Sequence, residues 1–169
     1  MIRTDQLSTA ARFSPTPPYT SLYSAKMARR RTAFLCHSHK DELLAKGLAH
    51  LLWQWGWHVY IDWQDASMPP TPDRTTARKI QDKILETDFF LFLATSNSMA
   101  SRWCPWELGF ADGKKSLDSI LVVPTRDGTS IHGNEYLALY RHIDHNALDH
   151  PVVRAAGGSR LSEIGLSSL

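Results

Sequence analysis

The sequence predicts an α/β fold, a central parallel sheet of about five strands with helices on both faces. Three observations carry this. Short apolar or alternating runs at 32–36, 57–62, 89–94 and 120–124 are separated by stretches of helical spacing, the order that builds successive βαβ units. Phe89–Ala94 (FFLFLA) is apolar at every position, as a strand covered on both faces must be. The 169 residues suffice for one domain with one sizeable core, and no run approaches eighteen consecutive apolar residues.

Taken in order, residues 1–30 read as a disordered, basic, Pro-rich leader. They hold Pro15, Pro17 and Pro18 and run into Arg29-Arg30-Arg31. No apolar stretch follows the charges, so this is no signal peptide, and Met27 offers an alternative start. Thr32–Cys36 is a buried strand opening into the polar loop HSHKDE. Asp41 or a neighbour caps a helix over 42–55, with Leu43, Leu44, Leu48, Leu51, Leu52 and Trp55 at helical spacing and Gly56 ending it. Trp57–Asp62 is a second strand, and WQDASMPPTPD, with three prolines, is a loop.

Thr75–Thr87 reads as a helix with Ile80, Ile84 and Leu85 inward. Ser96–Ser101 reads as a polar loop. A helix runs from Trp103 to about Asp112, and Ile120–Pro124 is a fourth strand. Residues 125–135 look like loop, and Tyr136–Ile143 holds a short helix and a last strand. From Pro151 the chain reads as a mobile tail. Trp53, Trp55 and Trp57 cannot share one helix face, so at least one is surface, a hint of self-association.

Charge narrows the function classes. Residues 1–31 carry six Lys and Arg against one Asp, whereas 32–169 carry thirteen against sixteen Asp and Glu. The folded part is mildly acidic, which disfavours a specific nucleic-acid partner, and the arginine run reads as a solvated tail. Two cysteines, Cys36 and Cys104, make no disulfide scaffold and suit a reducing cytoplasm, with Cys36 a buried thiol. His37-Ser38-His39 lacks a third ligand or an orienting carboxylate at fixed spacing, so no metal site is assigned. Gly109, Gly113 and Lys114-Lys115 do not make a phosphate loop.

Ligands of parallel sheets bind at the carboxyl ends of strands near the reversal of strand order, here the loops 37–41, 62–75 and 95–107. Trp103 and Glu107, four apart, share a helix face. Pro105 between them is tolerated only in a first turn, so Glu107 lies near a helix N-terminus, where the dipole favours its ionised form. An aromatic plate beside an ionised carboxylate outlines a nucleotide-sugar site. The same residues also read as a capping glutamate with core tryptophans.

Three segments tip the balance. TAFLCHSHKD resembles the first box of TIR (Toll/interleukin-1 receptor) domains, WHVYIDWQD their second strand and the loop after it, and SRWCPWELGFADGKK the third helix of prokaryotic members, including the Trp-x-x-x-Glu of TIR enzymes. The resemblance covers about 31–145 and implies a three-layer, flavodoxin-like TIR domain over 31–150. It implies that Glu107 is catalytic and that Trp103 packs beside the ribose or nicotinamide of NAD⁺, the substrate, with no other cofactor. It places His37 and Ser38 in a pocket-lining loop, and Asp62, Trp63 and Asp65 at the start of a gating loop. Met68-Pro69-Pro70-Thr71-Pro72 departs from the Gly-Pro-type turn common there and stiffens it.

The chemistry is self-consistent. Cleaving the nicotinamide–ribose bond builds oxocarbenium character that a carboxylate stabilises. Ordinary glycosidases also need an acid for the leaving oxygen, but nicotinamide leaves as a neutral molecule from a cationic ring. The resemblance thus implies a standalone prokaryotic NAD⁺ nucleosidase or cyclase of the antiphage (Thoeris-like) type. Such a protein makes nicotinamide and ADP-ribose, or a cyclic or conjugated product, read by a separate effector. Self-association through TIR–TIR contacts, a cytoplasmic location and no membrane partner go with that. Two rivals stand: a non-catalytic TIR–TIR adaptor, for which Glu107 is dispensable and 65–75 essential, and a nucleoside deoxyribosyltransferase-like enzyme, which turns over nucleosides without NAD⁺.

Overall fold

The computed structural model describes residues 1–13, 21–65, 67, 71, 73–136, 138–146, 150–157 and 163–169, apart from the Ser167 side chain. The helices are α1 (Thr4–Ala11), α2 (Leu22–Met27), α3 (Glu42–Gln54), α4 (Arg74–Glu86), α5 (Ser96–Met99) and α6 (Trp103–Asp112). The strands are β1 (Ile2–Arg3), β2 (Arg31–Cys36), β3 (Trp57–Tyr60), β4 (Phe89–Ala94), β5 (Ile120–Asp127), β6 (Ser130–His132), β7 (Arg141–His145), β8 (Pro151–Arg154) and β9 (Ile164–Gly165). None of these helices is long and apolar enough to cross a membrane.

The expected five parallel strands form the centre, in the order β3-β2-β4-β5-β7. This is the flavodoxin-like order, and it reverses between β2 and β4. Successive side chains point to opposite faces. Ala33, Leu35, Leu91, Leu93, Leu121 and Val123 therefore pack toward Ala45, Leu48 and Leu52 of α3. Phe34, Cys36, Phe90, Phe92, Ile120 and Val122 pack toward Ile80 and Ile84 of α4 and Leu108 and Ala111 of α6. Each such buried Leu or Phe contributes about 1.5–3 kcal/mol, so β4, apolar on both faces, anchors both cores.

The sheet is wider than five strands. β8 and β9 extend it antiparallel beyond β7, while β1 and β6 pair with the last residues of β5. Within the expected loop 125–135, residues 125–132 are accordingly a hairpin, turning at Gly128 (φ 56°). Ser96–Met99 is a helical turn instead of loop, because Thr95 caps it by accepting from Ser98 N at 3.0 Å. Leu43 and Leu85 are exposed, whereas Ala45 and Ile84 take the inward positions. Of the three tryptophans, Trp57 is wholly buried and Trp55 is exposed. Met68, Pro69, Pro70 and Pro72 lie outside the described residues.

The expectation of a disordered leader is corrected for 1–13 and 21–30. Ile2 pairs beside Thr125, and Leu7 and Ala10, one turn apart, bury against α3. Gln6 caps α1 by accepting from Arg3 N at 3.0 Å. A Cβ at Gly47 would stand 1.9 Å from the Leu7 carbonyl oxygen, so only glycine lets α1 lie this close. Arg30, read as tail, donates to Trp53 O at 2.9 Å and lies over the Trp53 ring. The prolines that dominate the leader's composition fall in 14–20, outside the described residues.

The mobile tail is corrected as well. Val152 and Val153 are buried in β8, and Arg154 pairs with Asp144 at 3.0 Å and with Glu163. Leu166 is buried, and its carbonyl accepts from the Trp57 indole at 3.3 Å. Gly158, Ser159 and Ser162 lie outside the described residues.

Candidate active site

The carboxyl ends of β2, β3 and β4 converge where the strand order reverses. Ser101 starts α6 by accepting from the backbone N–H groups of Trp103 at 3.1 Å and Cys104 at 3.3 Å. Pro105 follows as the third helical residue, where no N–H is needed. Glu107 thus falls in the second turn, and the helix dipole acts mainly within the first. Glu107 is 5% exposed, and this burial holds its carboxyl well above the usual carboxylate range. Cys104 and Asp62 push the same way, while the neighbouring Cys36 thiol opposes them. Burial thus works against the ionised form that the dipole argument led the sequence to suggest.

The loops after β2 and β3 are tied together beside it. His37, its side chain 2% exposed, sets Nδ1 3.0 Å from Leu35 O and accepts the Trp63 indole N–H on Nε2 at 2.9 Å. Asp62 Oδ1 lies 4.0 Å from His37 Nε2 and accepts from Trp63 N at 2.9 Å. Burial pushes the imidazole pKa down, against the pull of Asp62. The Lys46 ammonium sits 4.9 Å from the Trp63 ring centroid.

Not every expected residue joins this cluster. The Ser38 hydroxyl accepts from Lys40 N at 3.3 Å, capping the 3-10 turn His39–Asp41. Asp65 accepts from the Tyr60 hydroxyl at 2.8 Å and from Ser67 N at 2.9 Å, fastening the long loop to β3. Trp103 stands edge-on to Trp106, ring centroids 5.4 Å apart, and Trp106 stacks on Phe110. The three rings form a half-exposed ridge along α6, one turn from Glu107.

Sequence reasoning missed the partners of two groups. Asp41, read as a helix cap, makes no cap bond with its side chain. It is buried and accepts from Thr95 Oγ1 at 2.5 Å and Asn97 Nδ2 at 2.7 Å, joining the loop after β2 to the start of α5. The acidic residue of the first box was the available signal. Cys36 was expected to be a buried thiol, and it is; its link to α6, Sγ donating to Cys104 O at 3.7 Å, leaves no trace in local sequence.

Comparison with known proteins agrees with this architecture. Residues 33–151 match the TIR domain family. Over 113 residues the chain is 34% identical to the probable 3' cyclic ADP-D-ribose synthase ThsB' of Bacillus cereus (strain MSX-D12), a span of 65% of this chain and 58% of that protein. The chain thus covers little more than half the length of that relative. Sheet order, site position and family match coincide, and the chain belongs to the TIR domain family.

Proposed function

We propose that this TIR domain cleaves the nicotinamide–ribose bond of NAD⁺ with Glu107 as the catalytic carboxylate. The observation that carries the reading is the buried Glu107 carboxyl at the carboxyl end of the sheet where strand order reverses. A cationic nicotinamide ring arriving beside it favours its ionised form. The carboxylate then accepts from ribose hydroxyls and stabilises the positive charge developing at C1′ as neutral nicotinamide departs. Trp103 packs along the sugar or the leaving ring. His37 and Trp63 brace the wall of the pocket, and Asp62 holds the turn between them.

A hydroxyl of the same ADP-ribose or a water molecule then attacks C1′. A carboxyl only 5% exposed belongs to a site that keeps bulk water away, which favours ring closure over hydrolysis. The name of the Bacillus relative, a cyclic ADP-D-ribose synthase, supports a cyclised product. The product would serve as a nucleotide signal in antiphage immunity, sensed by a separate effector in the cytoplasm. The exposed Trp55 and Trp106 support self-association. NAD⁺ is consumed as substrate, with no further cofactor.

Concentrated protein incubated with NAD⁺, with products separated by chromatography and weighed by mass spectrometry, tests this. Nicotinamide together with a second product one water lighter than ADP-ribose is expected. Intact NAD⁺, with protein crowded or given extract of phage-infected cells, would favour the adaptor reading.

A further inference from the structure

A continuous chain of hydrogen bonds runs from the loop after β2 to the first turn of α6. It begins at the buried Asp41 carboxyl, which accepts from Thr95 Oγ1 at 2.5 Å and from Asn97 Nδ2 at 2.7 Å. Thr95 Oγ1 accepts in turn from Ser98 N at 3.0 Å, and Thr95 N donates to Ser98 Oγ at 2.8 Å. Ser98 O accepts from Ser101 N at 3.1 Å. Ser101 Oγ then takes the N–H groups of Trp103 and Cys104. We propose that Asp41 is a positioning residue for Glu107: through this chain it fixes the start of α6 and so sets where the Glu107 carboxyl meets the ribose. This rests on the NAD⁺-cleaving reading of the same site.

The entry to α6 depends on this chain. Its N-cap residue, Arg102, makes no side-chain cap bond, so Ser101 holds the first turn. Ser101 in turn is held by α5, a helix of four residues, too short to persist on its own backbone bonds. What keeps α5 in shape is the reciprocal cap between Thr95 and Ser98, both buried. Ser98 N occupies a lone pair of the Thr95 hydroxyl, which leaves the hydroxyl proton for Asp41. On the opposite side, Thr125 Oγ1 donates to Ala94 O at 2.6 Å and pins the last residue of β4. The corner between β4 and α6 is thus set from β5 by Thr125 and from the β2 loop by Asp41. Both Asp41 oxygens are engaged and the side chain is buried, so it acts through Glu107 and not on the substrate. Glu107 stands one turn beyond Trp103, and a shift of the helix start carries the carboxyl with it. A displacement of about 1 Å in a catalytic group can cost roughly 10²-fold in rate.

Asp41→Ala removes the acceptor, Thr95→Val removes the hydroxyl at nearly constant shape, and Thr95→Ser restores it. The three are compared with the wild type at a temperature where circular dichroism shows each fully folded; if Asp41→Ala does not fold, the Thr95 pair decides. Nicotinamide release from NAD⁺ should show kcat reduced about tenfold or more in Asp41→Ala and Thr95→Val, with KM within about twofold, as expected for a contact made only in the transition state. Thr95→Ser should keep most of the wild-type rate. In parallel, amide hydrogen exchange read by NMR should show Ser98, Ser101, Trp103 and Cys104 losing protection in the two impaired variants while β4 keeps its own. A clamp that served stability alone would leave kcat per folded molecule unchanged. That result would overturn the inference, as would unchanged protection at Trp103 and Cys104 in Thr95→Val or an equal loss of rate in Thr95→Ser. No nicotinamide from the wild type would instead overturn the functional reading, and the exchange pattern would still decide whether Asp41 sets the start of α6.

Discussion

The Trp63 indole donates to Nε2 of His37 at 2.9 Å, and this contact fixes the protonation state of the imidazole. An indole N–H only donates, so Nε2 must carry the lone pair and Nδ1–H must donate to Leu35 O. The buried ring is neutral, and charging it breaks the tie between the loops after β2 and β3.

That arrangement sets a sign for stability against pH. Burial lowers the folded-state pKa of His37 below its ordinary value, so the unfolded chain binds more protons in the window between the two. The contribution is fully present above about pH 6.5 and falls away as pH drops through the folded-state value. His58 and His142 act in the same direction, also through burial. Urea titrations from pH 5 to 8 should show His37→Gln with a shallower acid loss than the wild type, by at most about 1.4 kcal/mol per pH unit. Parallel curves would contradict the assignment.

Glu107 has the opposite sign. Its folded-state pKa is raised by burial, so its contribution is present below the ordinary carboxylate value and is lost as pH rises through the folded-state value. Glu107→Gln removes that cost. The variant should gain on the wild type as pH increases, by about 1 kcal/mol or more at pH 8, roughly 2–4 °C in Tm. An advantage that is absent, or larger at pH 5, would count against a desolvated carboxyl.

Asp41 is a structural clamp between two site loops. Asp41→Ala strips the Thr95 hydroxyl and the Asn97 amide of their acceptor, at a cost of about 2–4 kcal/mol. Combining it with Thr95→Val should recover part of the loss, because the orphaned hydroxyl is gone. Purely additive losses in chemical denaturation would show that the two residues are not coupled.

Gly47 is the seat of the N-terminal segment. Gly47→Ala sets a methyl 1.9 Å from the Leu7 carbonyl oxygen, and backbone atoms cannot yield there. Either the core loses about 1–3 kcal/mol or α1 lifts from α3. Hydrogen exchange should show residues 4–11 losing protection in the variant while β4 keeps its own. Unchanged protection in α1 would mean that it does not pack as described.

Much of the fold was legible because it rests on local pattern. FFLFLA declared a central strand, and the helices at 42–55 and 75–87 followed from spacing. The Trp103–Glu107 pair, with Pro105 between, located the start of α6. What escaped was non-local. Ile2 pairs beside Thr125, far along the chain, and no window of sequence shows that. The Pro-rich stretch masked the amphipathic Leu7 and Ala10. The hairpin at 125–132 did leave a signal, the Asp127-Gly128 pair. The charge state of Glu107 could not be read, because burial depends on how β2 and α6 meet, and the dipole argument alone pointed the other way.

The most direct test of the account is the initial rate of nicotinamide release from NAD⁺ by wild type and Glu107→Gln at matched high protein concentration. The amide keeps the shape of the side chain and removes its charge, so the rate should fall at least 10²–10³-fold while the variant stays folded. A folded variant that releases nicotinamide at the wild-type rate would contradict the central claim that the Glu107 carboxylate does the chemistry.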